Sequence, residues 1–263
     1  MMRKVFLKAA AIGMAMTFGA IASAETLTVG ANIGNVPWEF QDESGANVGF
    51  EIDLANEVGK RLGRDVTIEN IPFNGLFSAV QSGRINMAMS SITITPKRLA
   101  EVSFAQPYYD SDQSLTVTAA SGLKSLADMK GKIIGVDTGS TGDIWATGHS
   151  AEYGFADIRR FEGLAPAMLD LGNGRIDGYI SDIPALQYYV KDKPQFAVVE
   201  RILTGEQYSM MFAKDDPLAA KVSDVLTALK NEGFIAATHK KWFGADPEAT
   251  TSTVKVMDMP KLK

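Results

Sequence analysis

Two short strings occur twice in this chain, and they limit its fold more than any other feature. Gly83-Arg84-Ile85-Asn86 returns as Gly174-Arg175-Ile176-Asp177, and Phe73-Asn74-Gly75-Leu76 returns as Phe161-Glu162-Gly163-Leu164. Each Phe-x-Gly-Leu opens a stretch with helical apolar spacing. Each Gly-Arg-Ile opens a short apolar run that reads as a buried strand. The runs end in polar residues, Ser90-Ser91 in one copy and Ser181-Asp182 in the other. A string repeated together with its context implies two similar units. Polar groups at the carboxyl ends of strands are where open α/β sheets place ligands.

The surrounding pattern fits that reading. A strand over 26–31 ends in loop chemistry from Asn32 to Pro37. A helix is predicted over 54–61, with Asp53 as its N-cap and Gly63 closing it. A strand over 66–71 and a helix from Phe73 to Gly83 follow, and strand–helix alternation describes a parallel sheet. The second half predicts strands over 132–136, 158–161 and 176–180, with helices from about Asp143, over 164–171 and after Pro184. Further strands are predicted over 114–118, 196–199 and 208–213. Helices over 218–230 and up to Gly244 precede a polar tail that is expected to be loose.

The chemistry concentrates between Gly83 and Arg98. Thr95-Pro96 is a helix start, Thr as N-cap and Pro at the first helical position, which puts Arg98 in the first turn. Hydroxyls at Ser91 and Thr93, unpaired amides and a guanidinium suit an anion such as a carboxylate. The alternative is a capped surface helix with Arg98 paired to Glu101. In the second unit Asp182 suits an ammonium, and Ser140 and Thr141 in a Gly-rich turn add donors. Here too a plain alternative exists: Asp182 as N-cap before Ile183-Pro184, and residues 138–142 as an ordinary strand-to-helix turn. An α-amino acid carries both charges on one carbon and matches the pair of units.

Charge and composition remove other classes. Residues 1–24 carry Arg3, Lys4 and Lys8, an apolar run and Ala22-Ser23-Ala24, which together read as a secretory signal cleaved after Ala24. The remaining chain has 23 basic and 31 acidic residues, a net of −8, which argues against a nucleic-acid partner. With no cysteine, its stability must come from packed cores. Neither histidine, His149 or His239, sits in a cluster at metal-ligand spacing, and no nucleophile elbow or phosphate loop is present. The reading is a binding protein, not an enzyme, with no metal and no cofactor.

Several stretches together resemble one family. They are 48–54 (Val-Gly-Phe-Glu-Ile-Asp-Leu), 73–76, 91–98 (Ser-Ile-Thr-Ile-Thr-Pro-Lys-Arg), 104–109 (Phe-Ala-Gln-Pro-Tyr-Tyr), 125–132 and 241–244. In the same order along nearly the whole mature chain, they are similar to the periplasmic polar-amino-acid-binding proteins of ABC transporters, the family 3 extracellular solute-binding proteins. The resemblance implies an α/β, two-lobed periplasmic-binding-protein fold, with two hinge strands and a ligand cleft between the lobes. Residues 25–114 and 205–263 would form lobe one, and 115–204 lobe two. It also implies a monomer in the periplasm that closes on an amino acid or amino-acid derivative and delivers it to an ABC transporter permease. By motif match, Arg98 would hold the ligand's α-carboxylate, helped by Thr93 and the backbone near Ser91 and Thr141. Asp182 would hold the α-amino group, and Phe73 would pack on the aliphatic part. Asn32, Asn35 and Asp137 depart from the patterns of glutamine and lysine/arginine/histidine binders. Without an aromatic at Asn35 the pocket should be wider and more polar, and Asp137 could select a cationic side chain or accept from hydroxyls. The expected ligand is thus polar and open to being cationic. A bulkier conjugate such as an opine, or a dehydratase-like enzyme on the same scaffold, is the alternative; a sensor role is a third.

Overall fold

The computed structural model describes residues 25–262, so the expected signal segment and its cleavage after Ala24 lie outside the described residues. The first sheet region comprises β1 (Leu27–Ala31), a hairpin of β2 (Phe40–Gln41) and β3 (Asn47–Val48), α1 (Phe50–Leu62), β4 (Val66–Asn70), α2 (Phe73–Gln81), β5 (Met87–Ala88), α3 (Pro96–Glu101) and β6 (Ser103–Phe104). The chain then crosses along β7 (Tyr109–Thr118) into β8 (Ile133–Asp137), α4 (Thr141–Tyr153), β9 (Asp157–Phe161), α5 (Leu164–Gly172), β10 (Gly178–Asp182) and α6 (Ile183–Val190). It returns along β11 (Phe196–Tyr208) and ends in β12 (Met211–Phe212), α7 (Leu218–Asn231) and α8 (Phe234–Phe243). Strand orders are β4-β1-β5-β12-β6 in one sheet and β11-β7-β10-β8-β9 in the other. These are two α/β lobes.

Within each lobe the central pairs are parallel: β1 with β4 and β5, and β8 with β9 and β10. The repeated string explains the likeness at atomic level. Asn86 Oδ1 accepts from Thr28 N at 2.8 Å, and Asp177 Oδ2 accepts from Ile133 N at 2.8 Å. In return Asn86 N donates to Thr28 O and Asp177 N to Ile133 O. A Cβ on Gly30 would come within 2.5 Å of Ile85 Cδ1, and one on Gly135 within 2.5 Å of Ile176 Cδ1. Each repeated isoleucine therefore occupies the space over a strand glycine, where any side chain would collide. Leu76, Val80, Ile85, Leu99 and Phe104 gather in one buried cluster, and Leu115, Ile134, Val136, Ala146 and Ile180 in another. Such burial supplies the main drive to fold.

The crossing strands β7 and β11 are antiparallel over a long stretch, from Tyr109↔Tyr208 to Thr118↔Phe196, with register breaks at Val198/Glu200 and Ile202/Glu206. Trp38 meets Tyr109 and Tyr208 edge-on at 4.6 and 5.4 Å, which anchors the lobe-one ends of both strands.

Three local expectations change. Asp53 is not an N-cap: α1 begins at Phe50 after Gly49, and Asp53 instead accepts from Trp242 Nε1 at 2.7 Å and Lys241 Nζ at 2.6 Å. The separate strands predicted over 196–199 and 208–213 become the single β11 and the short β12. Pairing with β7 carries the chain through the polar residues between them. The tail is packed rather than loose: Ser252 and Thr253 are 2% exposed, and Lys230 Nζ donates to Lys255 O at 2.9 Å. Buried Lys230 on α7 and buried Gln106 before β7 hold it, together with Asp110 at the start of β7.

Candidate functional site

The cleft lies where the strand ends of the two lobes face each other, lined by Asn32, Asn35, Phe73, Ser91, Thr93, Asp137, Thr141 and Asp182 among others. Its free space is about 80 Å³. Every sequence-derived site residue is brought to this cleft except Arg98, which sits directly behind Thr93. The plainer readings of Arg98 and Asp182 do not hold. Arg98 makes no pair with Glu101. Asp182 precedes α6 at the N-cap position but its side chain forms no cap bond.

Thr95 does cap α3, its Oγ1 accepting from Arg98 N at 3.1 Å with Pro96 at the first position. The turn delivers Arg98 to an interior position, 7% exposed. Nη1 donates to Thr93 O at 2.8 Å and Nη2 to Gly139 O at 3.2 Å, so the guanidinium already touches both lobes. It also stacks near Phe73 and Phe77, at 5.4 and 5.1 Å from their ring centres. Burial pulls Arg98 down to about 10, while the charges of Glu206 and Asp182 oppose that fall.

Ser91 has φ 44°, unusual for a residue other than glycine. Glu51 secures it by accepting from Ser91 N at 2.9 Å. Behind this loop Glu39 and Glu51 form a buried carboxyl pair. Burial raises both, and the Glu51 charge raises Glu39 further. Glu51 also accepts from the Tyr108 hydroxyl, and Glu39 Oε1 from Ser90 Oγ at 2.6 Å and Asn35 Nδ2 at 3.2 Å. Asn35 is thereby wired into the wall and reaches Ser91 Oγ at 3.1 Å. Asn32 lies beside Gly163 of the other lobe, at whose position a Cβ would stand 3.4 Å from Asn32 Nδ2.

On the lobe-two side Asp182 Oδ1 accepts from Gln113 Nε2 at 2.6 Å, and Oδ2 from Ser91 Oγ across the cleft at 3.1 Å. Burial, then the neighbouring Glu206 charge, raise Asp182 to about 7. Asp137, one strand away, accepts from the Tyr179 hydroxyl at 2.7 Å through Oδ2. Its Oδ1 is buried without a hydrogen-bond partner among the described residues. Burial raises it to about 6. Ser140 caps α4, its Oγ accepting from Asp143 N at 3.0 Å, which leaves Thr141 at the helix start facing the cleft.

The sequence reading missed Glu39, Glu51, Gln113 and Glu206, all buried polar groups of this site. The one available signal was the polar run Asp110-Ser111-Asp112-Gln113-Ser114 beside an apolar strand. Chemically, the cleft offers carboxylates for cationic groups, with the Arg98 guanidinium directly behind its Thr93 wall. Among the described residues no group of His, Cys, Asp and Glu could hold a metal ion.

Two α/β lobes joined by crossing strands, with a charged cleft between facing strand ends, define the periplasmic-binding-protein architecture. The chain belongs to the bacterial extracellular solute-binding proteins, family 3, whose model it matches over residues 27–245. It is 30% identical over 248 residues to the ABC transporter arginine-binding protein 1 of Escherichia coli K12, covering 92% of this chain and 99% of that one. Its structure is similar to the arginine-, lysine-, histidine-binding protein ArtJ of Geobacillus stearothermophilus, with TM-score 0.78, 34% identity and coverage of 86% and 98%. It is also similar to an ancestral amino-acid-binding protein described as a precursor of cyclohexadienyl dehydratase, with TM-score 0.76, 32% identity and coverage of 83% and 96%.

Proposed function

We propose that this protein is the periplasmic substrate-binding component of an ABC transporter, and that its ligand is a cationic amino acid, arginine before lysine or histidine. The observation that carries the choice is Asp137, which lines the cleft and whose buried Oδ1 has no hydrogen-bond partner among the described residues. A buried carboxylate held by the Tyr179 hydroxyl alone, its second oxygen unpartnered, calls for a cationic donor. Asp182 on the neighbouring strand end suits the α-ammonium, and Arg98 the α-carboxylate. Phe73 would lie along the ligand's methylene chain. The names of the relatives point the same way.

In this reading lobe one is 25–114 with 205–263, lobe two is 115–204, and closure takes place about β7 and β11. The closed monomer docks on the membrane permease and hands over its ligand, with no chemistry on it. Calorimetric titration with arginine, lysine, histidine, glutamine and glutamate tests the assignment. Arginine should bind tightest and glutamate not at all. Saturation by glutamate, with none by a cationic or neutral polar amino acid, would overturn the role given to Asp137.

A further inference from the structure

Glu206 lies on the returning strand β11, immediately after Gly205, whose φ of 63° sits at the bulge of that strand. Asp112 fixes the backbone here: its Oδ1 accepts from Thr204 N and Gly205 N, both at 2.7 Å, and its Oδ2 pairs with Arg201. From this anchored position the Glu206 side chain, in a residue 7% exposed, reaches two hydroxyls of the cleft wall from behind. Oε2 accepts from Thr93 Oγ1 at 2.6 Å and from Thr141 Oγ1 at 2.9 Å. Oε1 accepts from Gln113 Nε2 at 3.0 Å. Thr93 belongs to lobe one and Thr141 opens α4 of lobe two, so a single carboxylate oxygen joins the lobes.

Counting protons gives this contact its meaning. A threonine hydroxyl has one proton to donate. While Glu206 holds both protons, neither hydroxyl can donate to a ligand carboxylate, and each can only accept, as Thr141 Oγ1 already does from Gln113 Nε2 at 3.2 Å. Ser91 is committed in the same way, its N–H to Glu51 and its O–H to Asp182. The wall therefore presents acceptors suited to an ammonium. Recognition of a carboxylate falls to the remaining N–H groups of Arg98 and to the first amides of α4. Glu206 also gains its full set of donors only when Thr93 and Thr141 are together. A buried carboxylate left short of donors is costly, so the contact favours the closed arrangement.

We propose that Glu206 is a positioning residue of the cleft. It clasps a hydroxyl from each lobe, favours closure before any ligand enters, and fixes both threonines as acceptors. Only the ligand-affinity part of this proposal rests on the function argued above.

The chain has no cysteine, so a label pair introduced through Lys60→Cys on α1 and Glu152→Cys on α4 reports lobe separation cleanly. Distance distributions are measured without ligand in otherwise wild-type protein, E206A and E206Q, and thermal melts verify folding. E206A should shift the distribution to longer separations. E206Q, whose amide oxygen can still accept from both hydroxyls, should restore much of the short population. Affinity for L-arginine should fall roughly tenfold in E206A, the scale of hydrogen bonds to a charged group. T141V should cost less in the E206A background than alone. Should E206A fail to fold, T141V reads the same separation with the carboxylate in place. Unchanged ligand-free separation in the folded variants, or tighter arginine binding by E206A, would overturn the proposal. The second result would make Glu206 a competitor of the ligand. If L-arginine fails to bind the wild type, the functional reading falls while the ligand-free distances still decide the clasp.

Discussion

Lowering the pH from about 8 to about 5 should weaken L-arginine binding in two steps, each belonging to one carboxyl. Burial and the Glu206 charge raise Asp182 to about 7, and burial raises Asp137 to about 6. An arriving cationic group favours the ionised carboxyl, so binding below these values must expel a proton. Affinity then falls roughly tenfold for each pH unit below about 7, and more steeply below about 6, when both groups are protonated. Across the whole range the loss is roughly a thousandfold at most, or about 4 kcal/mol. Titration calorimetry in buffers of different ionisation enthalpy measures affinity and proton release together. D182N should keep only the lower step and D137N only the upper one. The ligand-free protein should follow the opposite trend in stability. Folded Asp182 keeps its proton up to about 7, whereas the unfolded side chain loses it near 3.8. The folded state therefore binds more protons between those values, and stability falls as pH rises through that window. The Asp182 share is about 4 kcal/mol at most, reduced by its partial exposure to the cleft. Affinity that stays constant from about pH 8 to about pH 5 would refute the carboxylate–cation pairing.

Arg98→Ala should lower arginine affinity by at least ~2 kcal/mol, the scale for removing one partner of a buried charge pair, and near-normal calorimetric binding would sink that role. Gly30→Ala and Gly135→Ala should each destabilise by about 1–3 kcal/mol in denaturant melts, because the new methyl meets an isoleucine in both lobes. Reducing the neighbour with I85V or I176V should recover part of that loss. Lys230→Met should expose the tail to limited proteolysis and destabilise by about 3 kcal/mol or more. It leaves Gln106 Oε1, Pro107 O and Lys255 O without the ammonium they share.

The two-lobed fold was legible because it is written in local, repeated signals. Gly83-Arg84-Ile85 and Gly174-Arg175-Ile176 mark the same packing event twice, and Thr95-Pro96 marks a helix start that α3 obeys. Asp182, Thr93 and Thr141 were legible as polar groups at strand or helix ends, and they do converge. What stayed hidden depends on pairing across long sequence distances. β11 runs through Thr204, Gly205 and Glu206, residues with no strand periodicity, where Asp112 of β7 holds Thr204 N and Gly205 N at a bulge before the ladder resumes at Glu206. Gln113, Glu39 and Glu51 are buried by tertiary contact alone, so hydrophobic pattern carries no trace of them. The tail looked like solvent-exposed chain because its packing partners, Lys230, Gln106 and Asp110, are themselves polar.

The strand glycines of the two lobes have a consequence for how such a protein changes over time. Gly30 stands two residues before Asn32, and Gly135 two residues before Asp137. In each lobe a glycine packed closely under an isoleucine is followed, two residues on, by a position at the cleft. The tight glycine contact holds the strand's height and register whatever residue follows. On the function proposed above, substitutions at Asn32 and Asp137 would alter the ligand preference while the glycine packing of each sheet stays in place. On that reading, scaffold and preference are separated by two residues in each lobe.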